Sequence, residues 1–397
     1  MGQWVLNLND GKLSSEQGNA SLSPKATDIL ALLVAKPGVV LSREEILHAV
    51  WKDLHVSPDL VREYIFEIRK ALGDKAKDSQ YIETVGRRGF RLIGQISVQS
   101  GEDISSFHRR RNLQPDTLPT VKFCQSYDGT SIAHTASGEG YPLLISGSWM
   151  THLEQDWQNP AYGDYIRHLS QNFSLIRYDQ RGNGLSQWAN VDISFDRMVD
   201  DMEVVVDAYG FEKVAILGLS QGASVSVAYA LRHPSRISHL ILSGGYPRGR
   251  RQRGNRMEFE ESEALVQLIR TSWGNDNPAI RQILTTMFMP DATKEETQWF
   301  NEFQKLCGPA ENIAQFRALF DDINVSGLLP QVTVPTLVIH SDRDAVAPLS
   351  EGKLLASKIP NALFVQLNSP NHLLFEAEPD FTRMIASIRD FVEVPNN

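Results

Sequence analysis

The chain has 397 residues, of which 42% are hydrophobic and 22% charged, as expected of a globular protein with two or three domains. It has no apolar run near the roughly 18 residues of a membrane span, no signal peptide at its N-terminus and only two cysteines, which together favour a cytoplasmic protein. The net charge of −9 is uneven, because residues 1–100 carry 13 Lys and Arg against 12 Asp and Glu and the remainder carries 26 against 36. The acidic remainder would repel nucleic acid, whereas the near-neutral front could bind it.

Three helices are predicted in the first hundred residues from their capping residues. Ser23 precedes a Pro and an apolar run, which is typical of a helix N-terminus. Ser42 and Glu45 have the spacing of a capping box. The third helix begins after Ser57 and ends at Gly73.

The third helix has two different faces. Its apolar residues recur at helical spacing and form one stripe, Val61, Ile65, Ile68 and Leu72. The other face carries Arg62, Glu63, Phe66, Arg69 and Lys70. The basic residues suit contact with DNA, while Glu63 and Glu67 argue against tight non-specific binding.

A basic hairpin follows in the stretch YIETVGRRGFRLIG, where Gly86 and Gly89 permit a tight turn with Arg87 and Arg88 at its tip. The order of helix, helix, basic helix and basic hairpin resembles the winged-helix DNA-binding domain of the OmpR type over roughly residues 3–95, with WVLNL supplying its small N-terminal sheet. The resemblance implies that the third helix enters the major groove and the hairpin touches an adjacent minor groove. The residues expected to contact DNA are Arg62, Arg69, Lys70, Arg87 and Arg88, and a merely solvated basic face is the alternative.

The chain divides into a DNA-binding domain at 1–98, a polar linker at 99–119 and a larger domain at 120–397. The larger domain alternates short β-rich runs with helical patterns, which predicts an α/β fold with a mostly parallel sheet. A long helical insertion at about 247–328 interrupts this alternation and is expected to form a cap.

The stretch ILGLSQG places Ser220 in a Gly-x-Ser-x-Gly pattern between a predicted strand and a helix. That context predicts a nucleophile elbow, in which the serine hydroxyl stands on a sharp turn. His372 follows the last predicted strand and Asp344 the strand before it, so they are the candidate base and its orienting acid, with Asp342 as the alternative acid.

These stretches, together with RYDQRGNGLS and NHLLFEAEP, resemble the α/β-hydrolase fold over about residues 120–395. The resemblance implies a Ser220 nucleophile, with oxyanion donors from the backbone N–H groups of Gln221 and Ser148. The chain departs from the family at Ser146-Gly147, where many members have His-Gly. The fold class is therefore multidomain, an α+β winged helix-turn-helix followed by an α/β-hydrolase fold with a helical cap.

A mostly apolar ligand pocket is expected beneath the cap. The residues expected to line it are Trp149, His152, Trp157, Trp273, Met287 and Phe288, although core packing is the alternative for each one. No metal and no cofactor is expected.

A DNA reader joined to a small-molecule pocket indicates a ligand-responsive transcription regulator that binds operator DNA as a homodimer and is not attached to a membrane. The hydrolase-like domain would either only bind its effector or also hydrolyse it slowly, and the fold does not separate these readings. The competing hypothesis is a serine esterase of an ester, lactone or amide whose N-terminal module is accessory.

Overall fold

The computed structural model describes residues 4–7, 12–15, 18–51, 59–75, 79–86, 88–94, 96–99 and 119–393. The chain divides into two compact units, residues 1–113 and 114–397. Ser57, Arg87 and nearly all of the linker predicted at 99–119 lie outside the described residues. Within the described ranges, every helix is too short or too polar to cross a membrane.

The first unit contains six short strands and three helices in its described residues. They are β1 (Trp4–Asn7), β2 (Lys12–Ser15), β3 (Gly18–Ser21), α1 (Pro24–Ala35), α2 (Arg43–Trp51), α3 (Asp59–Leu72), β4 (Ile82–Val85), β5 (Gly89–Leu92) and β6 (Ile96–Gln99). Four strands form a sheet in the order β3-β2-β1-β6, in which β1 and β6 run parallel. The strand predicted in WVLNL is confirmed as β1, and the predicted hairpin as β4 and β5.

The predicted capping residues begin α1 and α2. Ser23 Oγ accepts a hydrogen bond from the backbone N–H of Ala26 at 3.4 Å. Ser42 and Glu45 form a complete capping box, since the Glu45 N–H donates to Ser42 Oγ at 3.0 Å and the Ser42 N–H donates to the Glu45 carboxylate at 2.7 Å. These side chains satisfy N–H groups that have no acceptor within the helix.

The predicted apolar stripe of α3 belongs to the core of the first unit. Val61, Ile65, Ile68 and Leu72 are at most 3% exposed and join the same apolar cluster as Ile29 of α1. Full burial of a side chain of this size contributes about 1.5–3 kcal/mol. The stripe therefore fixes which face of α3 is turned outward.

The hairpin of β4 and β5 packs its backbone against the segment before α2. Leu41 and Phe90 exchange two backbone hydrogen bonds of 2.9 Å. Gly86 and Gly89 have φ values of +54° and +140°, as the predicted turn requires. A Cβ atom at Gly89 would lie only 1.9 Å from the Leu41 carbonyl oxygen, so this position has no room for a side chain.

The second unit is built on an eight-stranded sheet in the order β14-β13-β12-β11-β9-β10-β8-β7. Its strands are β7 (Lys122–Gln125), β8 (Ser131–Ser137), β9 (Tyr141–Ser146), β10 (Phe173–Tyr178), β11 (Val214–Leu219), β12 (Ile237–Ser243), β13 (Thr336–Ser341) and β14 (Leu363–Leu367). Strands β9 to β14 pair in parallel, while β7 and β8 pair antiparallel at one edge. The predicted, mostly parallel α/β fold is confirmed.

Helices cover both faces of this sheet. They are α4 (Tyr162–Ser170), α5 (Phe195–Tyr209), α6 (Gly222–Arg232), α7 (Arg256–Ser272), α8 (Ala279–Phe288), α9 (Lys294–Cys307), α10 (Ala310–Asp322), α11 (Leu349–Lys358) and α12 (Pro379–Glu393). Val214 and Ile216 of β11 pack with α5 and α6, whereas Ala215 and Leu217 pack with α4 and α12. Because both faces are buried, β11 is apolar throughout rather than alternating.

Helices α7 to α10 form the insertion between β12 and β13, inside the range 247–328 expected for the cap. Helix α7 packs along α10. Their apolar residues, such as Ile269 and Phe316, join the same cluster as one face of the sheet. The cap is therefore continuous with the core of the second unit.

We expect Gly89→Ala to destabilise the first unit more than Gly86→Ala. Each change places an L residue at positive φ, which costs about 1–2 kcal/mol. Only at Gly89 does the new Cβ meet backbone, whereas at Gly86 nothing lies within 4 Å. Urea unfolding of the full chain, followed by far-UV circular dichroism, measures the difference, and equal losses at the two positions would contradict the close approach of Leu41.

Candidate functional site

Ser220 lies at the sharp turn between β11 and α6. Its φ is +54°, a left-handed conformation that costs a residue with a side chain about 1–3 kcal/mol. The flanking glycines make the turn possible. A Cβ atom at Gly218 would lie 2.8 Å from Ala223 Cα, and one at Gly222 would lie 2.6 Å from the Gly147 carbonyl oxygen. The predicted succession of strand, serine turn and helix is therefore present.

Asp344 and His372 meet from the loops that follow β13 and β14. Asp344 Oδ2 lies 2.6 Å from His372 Nδ1, and Asp344 Oδ1 accepts the N–H groups of Val346 at 2.8 Å and Ala347 at 2.9 Å. Burial by itself raises the pKa of Asp344, but the facing His372, the nearby His340 and the Ala347 N–H outweigh it and hold the pKa below its usual value. The carboxylate therefore stays ionised at neutral pH and orients the imidazole.

Asp342, the alternative acid, has different partners. Its Oδ1 accepts the backbone N–H of Ser369 at 3.1 Å and the Nε–H of Arg343 at 3.2 Å. The bond to Ser369 ties the loop after β13 to the loop after β14. Asp342 thus holds the loops together, while Asp344 is the acid that contacts the imidazole.

Ser220 and His372 line the same cavity. It encloses about 30 Å³ of free space, enough for one or two water molecules. Its other lining residues include Trp149, Tyr162, Tyr165, Phe288, Phe300 and Leu373, and the lining contains no Asp, Glu, Lys or Arg. Within the described ranges, no three His, Cys, Asp or Glu side chains gather as metal ligands would. The serine and the histidine therefore share one narrow and mostly apolar space.

Two glutamine side chains hold the backbone turn after β9. Gln221 Nε2 donates to the Gly147 carbonyl at 3.1 Å, and Gln180 Nε2 donates to the Ser148 carbonyl. In a trans peptide the N–H points away from the preceding carbonyl, so fixing the Gly147 carbonyl also fixes the Ser148 N–H. The turn keeps its glycine although Ser146 replaces the histidine of many family members. The expected oxyanion donors are the N–H groups of Gln221 and Ser148. The two glutamine hydrogen bonds fix the Ser148 peptide and join it to Gln221.

Two of the six residues expected to line the pocket do so. Trp149 and Phe288 lie on the cavity wall with their rings stacked, the ring centroids 6.5 Å apart. Phe288 also packs edge-on against His372, at a centroid distance of 5.3 Å. These contacts connect the cap helix α8 to the histidine.

The other four expected pocket residues lie elsewhere. Trp157 packs in the apolar cluster on the opposite face of the sheet, and Trp273 is buried within the cap. Met287 is half-buried against the same cluster as Trp273, and His152 is half-buried outside the cavity lining. The alternative of core packing therefore applies to the two tryptophans, because large apolar side chains serve a core as well as a pocket.

Several polar residues of the cavity wall gave no recognised sequence signal. Asn159 Oδ1 accepts the N–H groups of Ala161 at 3.1 Å and Tyr162 at 3.0 Å, which begins α4. Tyr162 and Tyr165 then line the cavity one helical turn apart. Burial raises the pKa of both phenols, so their hydroxyls remain hydrogen-bond donors. In the sequence, only an asparagine ahead of an amphipathic helix indicates that a helix begins here.

Three of the basic residues expected to contact DNA are exposed. Arg62 and Lys70 lie on the outward face of α3, and Arg88 follows the tip of the hairpin. Arg87 lies outside the described residues. The described part of the first unit therefore presents positive charge on both elements expected to reach DNA.

Arg69 departs from the expectation that it contacts DNA. Its Nη2 donates to the Ile82 carbonyl at 2.6 Å and to Thr84 Oγ1 at 3.0 Å, and its Nε lies 3.9 Å from an Asp74 oxygen. The residue is only 9% exposed. Arg69 thus joins α3 to β4. The prediction that Arg69 contacts DNA is therefore wrong, because a buried charged side chain needs hydrogen-bond partners inside the protein and Arg69 has them.

Comparison with known proteins gives two family matches in chain order. A model described as transcriptional regulatory protein, C terminal, matches residues 17–92, and one described as alpha/beta hydrolase fold matches residues 156–379. The chain is 34% identical to the transcriptional activator CadC of Escherichia coli over 26% of its own length and 21% of CadC. It is 24% identical to the AB hydrolase superfamily protein YisY of Bacillus subtilis, over 61% of this chain and 89% of YisY. Among solved structures, an esterase from Exiguobacterium antarcticum matches with a TM-score of 0.60 and 22% identity, covering 69% of this chain and 100% of that one.

We expect Asp344→Asn to slow the reaction of Ser220 with an alkyl fluorophosphonate, which phosphonylates activated serine hydroxyls, by about 10³–10⁴-fold. The amide cannot stabilise a protonated His372 as the carboxylate does. Mass spectrometry of the intact chain gives the rate of label incorporation. Asp342→Asn is the matched control and should react at the parent rate, because the amide oxygen can still accept the Ser369 N–H that joins the two loops. An undiminished rate in Asp344→Asn would remove Asp344 from this role.

Proposed function

Because this chain belongs to the α/β-hydrolase fold family and carries a transcriptional-regulator DNA-binding domain ahead of it, we propose that it is a ligand-responsive transcription regulator. The observation that carries the proposal is the presence, in one chain, of a basic winged-helix surface and a narrow, mostly apolar cavity at a serine elbow. A ligand in the cavity would favour one conformation of the protein and so change its affinity for DNA.

The outward face of α3 supports the DNA-binding part of the proposal. Arg62 and Lys70 are eight residues apart, which is about 12 Å along a helix and comparable to the width of the major groove. Arg88 lies beside the hairpin tip, where a wing reaches the neighbouring groove. Two copies of the chain would bind paired half-sites of an operator. The low cysteine content supports a cytoplasmic location for such a regulator.

The cap supports the ligand-sensing part. Pockets for small-molecule ligands usually have about 300–1,000 Å³, so an effector of ordinary size would move wall residues of this cavity, among them Phe288 and Phe300 of the cap. The Phe288 carbonyl accepts the backbone N–H of His372 at 2.9 Å, and Asn371 Oδ1 accepts the N–H of Asp291 at 3.2 Å. Displacement of α8 would therefore move the loop that carries His372. The lining favours a mostly apolar effector with a carbonyl group near Ser220.

The same geometry supports slow hydrolysis of an ester, lactone or amide effector. Ser220 Oγ would attack the carbonyl carbon while His372 takes its proton, and the N–H groups of Gln221 and Ser148 would stabilise the oxyanion. The histidine would return the proton to the leaving group, and water would then release the acid from the serine. The 2.6 Å contact between Asp344 and His372 favours retained chemistry, because ligand binding alone does not need an oriented base.

The competing function is a serine esterase whose winged-helix module serves only as an accessory. Such an enzyme would hydrolyse its substrate without sequence-dependent DNA binding. The regulator would bind specific DNA whether or not its serine is reactive.

We expect the full chain to shift duplex DNA from upstream of its own gene in preference to a shuffled duplex. Lys70→Ala and Arg88→Ala should each weaken DNA binding about 10-fold, because each removes a cation that contacts the nucleic acid. Each should also reduce the slope of the logarithm of the binding constant against the logarithm of the salt concentration by about one. Arg256→Ala, at a 91% exposed arginine side chain of the cap, is the matched control and should bind as the parent does. Equal binding of specific and shuffled duplexes would leave the esterase hypothesis as the better one.

We expect slow turnover of p-nitrophenyl butyrate by the parent chain and a loss of at least about 10³-fold in Ser220→Ala, which keeps the fold but lacks the nucleophile. Steady-state release of p-nitrophenolate measures both rates. Ser357→Ala, on the exposed side of α11, is the control and should keep full turnover. Equal turnover in parent and Ser220→Ala would leave binding as the only role for this site.

A further inference from the structure

The most exposed large apolar side chain of the described residues lies on α3. Phe66 is 71% exposed. Arg62 precedes it by one helical turn and Lys70 follows it by one, so the three side chains lie on one face of the helix. The core stripe of α3 occupies the opposite face, and packing within the first unit therefore does not account for an aromatic ring at this position.

The neighbours of Phe66 along the helix are turned inward. The Glu67 carboxylate accepts the backbone N–H of Ser23 at 2.6 Å and the Ser23 hydroxyl at 2.9 Å. Arg69 is bound to the Ile82 carbonyl and to Thr84. With these two side chains engaged inside the unit, Phe66 lies at the centre of the outward face with a cation on either side.

We propose that Phe66 contacts the 5-methyl group of thymine in the major groove and selects a thymine at the centre of each half-site. The proposal rests on the DNA-binding function proposed above. A phenyl ring forms no hydrogen bond with base edges, and the thymine methyl is the apolar group that DNA presents in the major groove. Phe66 would therefore read a feature that the flanking cations cannot.

The charges around Phe66 favour DNA over an apolar protein surface as its partner. A protein surface that covered the ring would have to take Arg62 and Lys70 out of water. On DNA, the two cations would instead lie beside phosphates, at the edge of the groove, while the ring meets the bases. DNA can therefore accommodate the aromatic ring and the two cations at the same time.

The test begins with selection of duplexes by the full chain from a random library, followed by replacement of each dT of the selected duplex with dU. This replacement removes the methyl group and keeps the base pairing. We expect one or two positions per half-site at which dU weakens binding by the parent chain about 4-fold. This is the change in affinity that corresponds to the free energy of burying one methyl group. Phe66→Ala should bind the dT and dU duplexes equally, and Phe66→Leu should keep part of the preference.

Phe123→Ala is the matched control, because Phe123 is 60% exposed on β7 of the second unit. This variant should show the same dU penalty as the parent, and far-UV circular dichroism should show Phe66→Ala folded. Parent binding that is unchanged by dU at every position, or a dU penalty that survives in Phe66→Ala, would overturn the thymine contact while leaving DNA binding intact. Failure to enrich any duplex would overturn the DNA-binding function itself, and the thymine contact with it.

Discussion

The left-handed backbone of Ser220 is the constraint on which the second unit depends. A serine at φ +54° is strained, and the surrounding packing holds it there. The geometry excludes side chains at Gly218 and Gly222, where a Cβ would meet the following helix and the turn after β9. Gly244 completes the set, because its Cβ would lie 2.9 Å from His372 Cε1. Three glycines therefore make room for the nucleophile, its helix and its base.

Backbone hydrogen bonds connect the cap to the loops that follow β14 and β10. The loop that carries His372 is bound to the end of α8, and the Gly184 N–H donates to the Cys307 carbonyl at the end of α9 at 2.7 Å. The cap thus contacts the base directly through backbone groups, which transmit displacement more faithfully than flexible side chains. An effector can shift the protein between conformations only if it binds one of them more tightly than the other. The contact between the cap and the His372 loop is where we expect that difference in affinity to arise.

Local sequence patterns predicted most of the fold, because caps, the apolar stripe of α3 and the elbow glycines depend on near neighbours. The failures involve positions that tertiary contacts decide. Arg69 borders the buried stripe, and its side chain turns inward because Asp74 and β4 offer partners there. Trp157 and Trp273 could not be assigned to core or pocket from composition, since both environments favour large apolar residues. Tyr162 and Tyr165 reach the cavity from α4, whose start Asn159 fixes by accepting the Tyr162 N–H.

In a ligand-responsive regulator, occupancy of the cavity changes the affinity of the protein for DNA. The most direct test is the dissociation constant of the full chain for its selected duplex, measured before and after complete phosphonylation of Ser220 by an alkyl fluorophosphonate that places an alkyl group in the cavity. We expect a change of at least about 5-fold, which is absent when Ser220→Ala is treated with the same reagent. Identical dissociation constants for the unmodified and the fully phosphonylated chain would contradict control of DNA binding by the cavity.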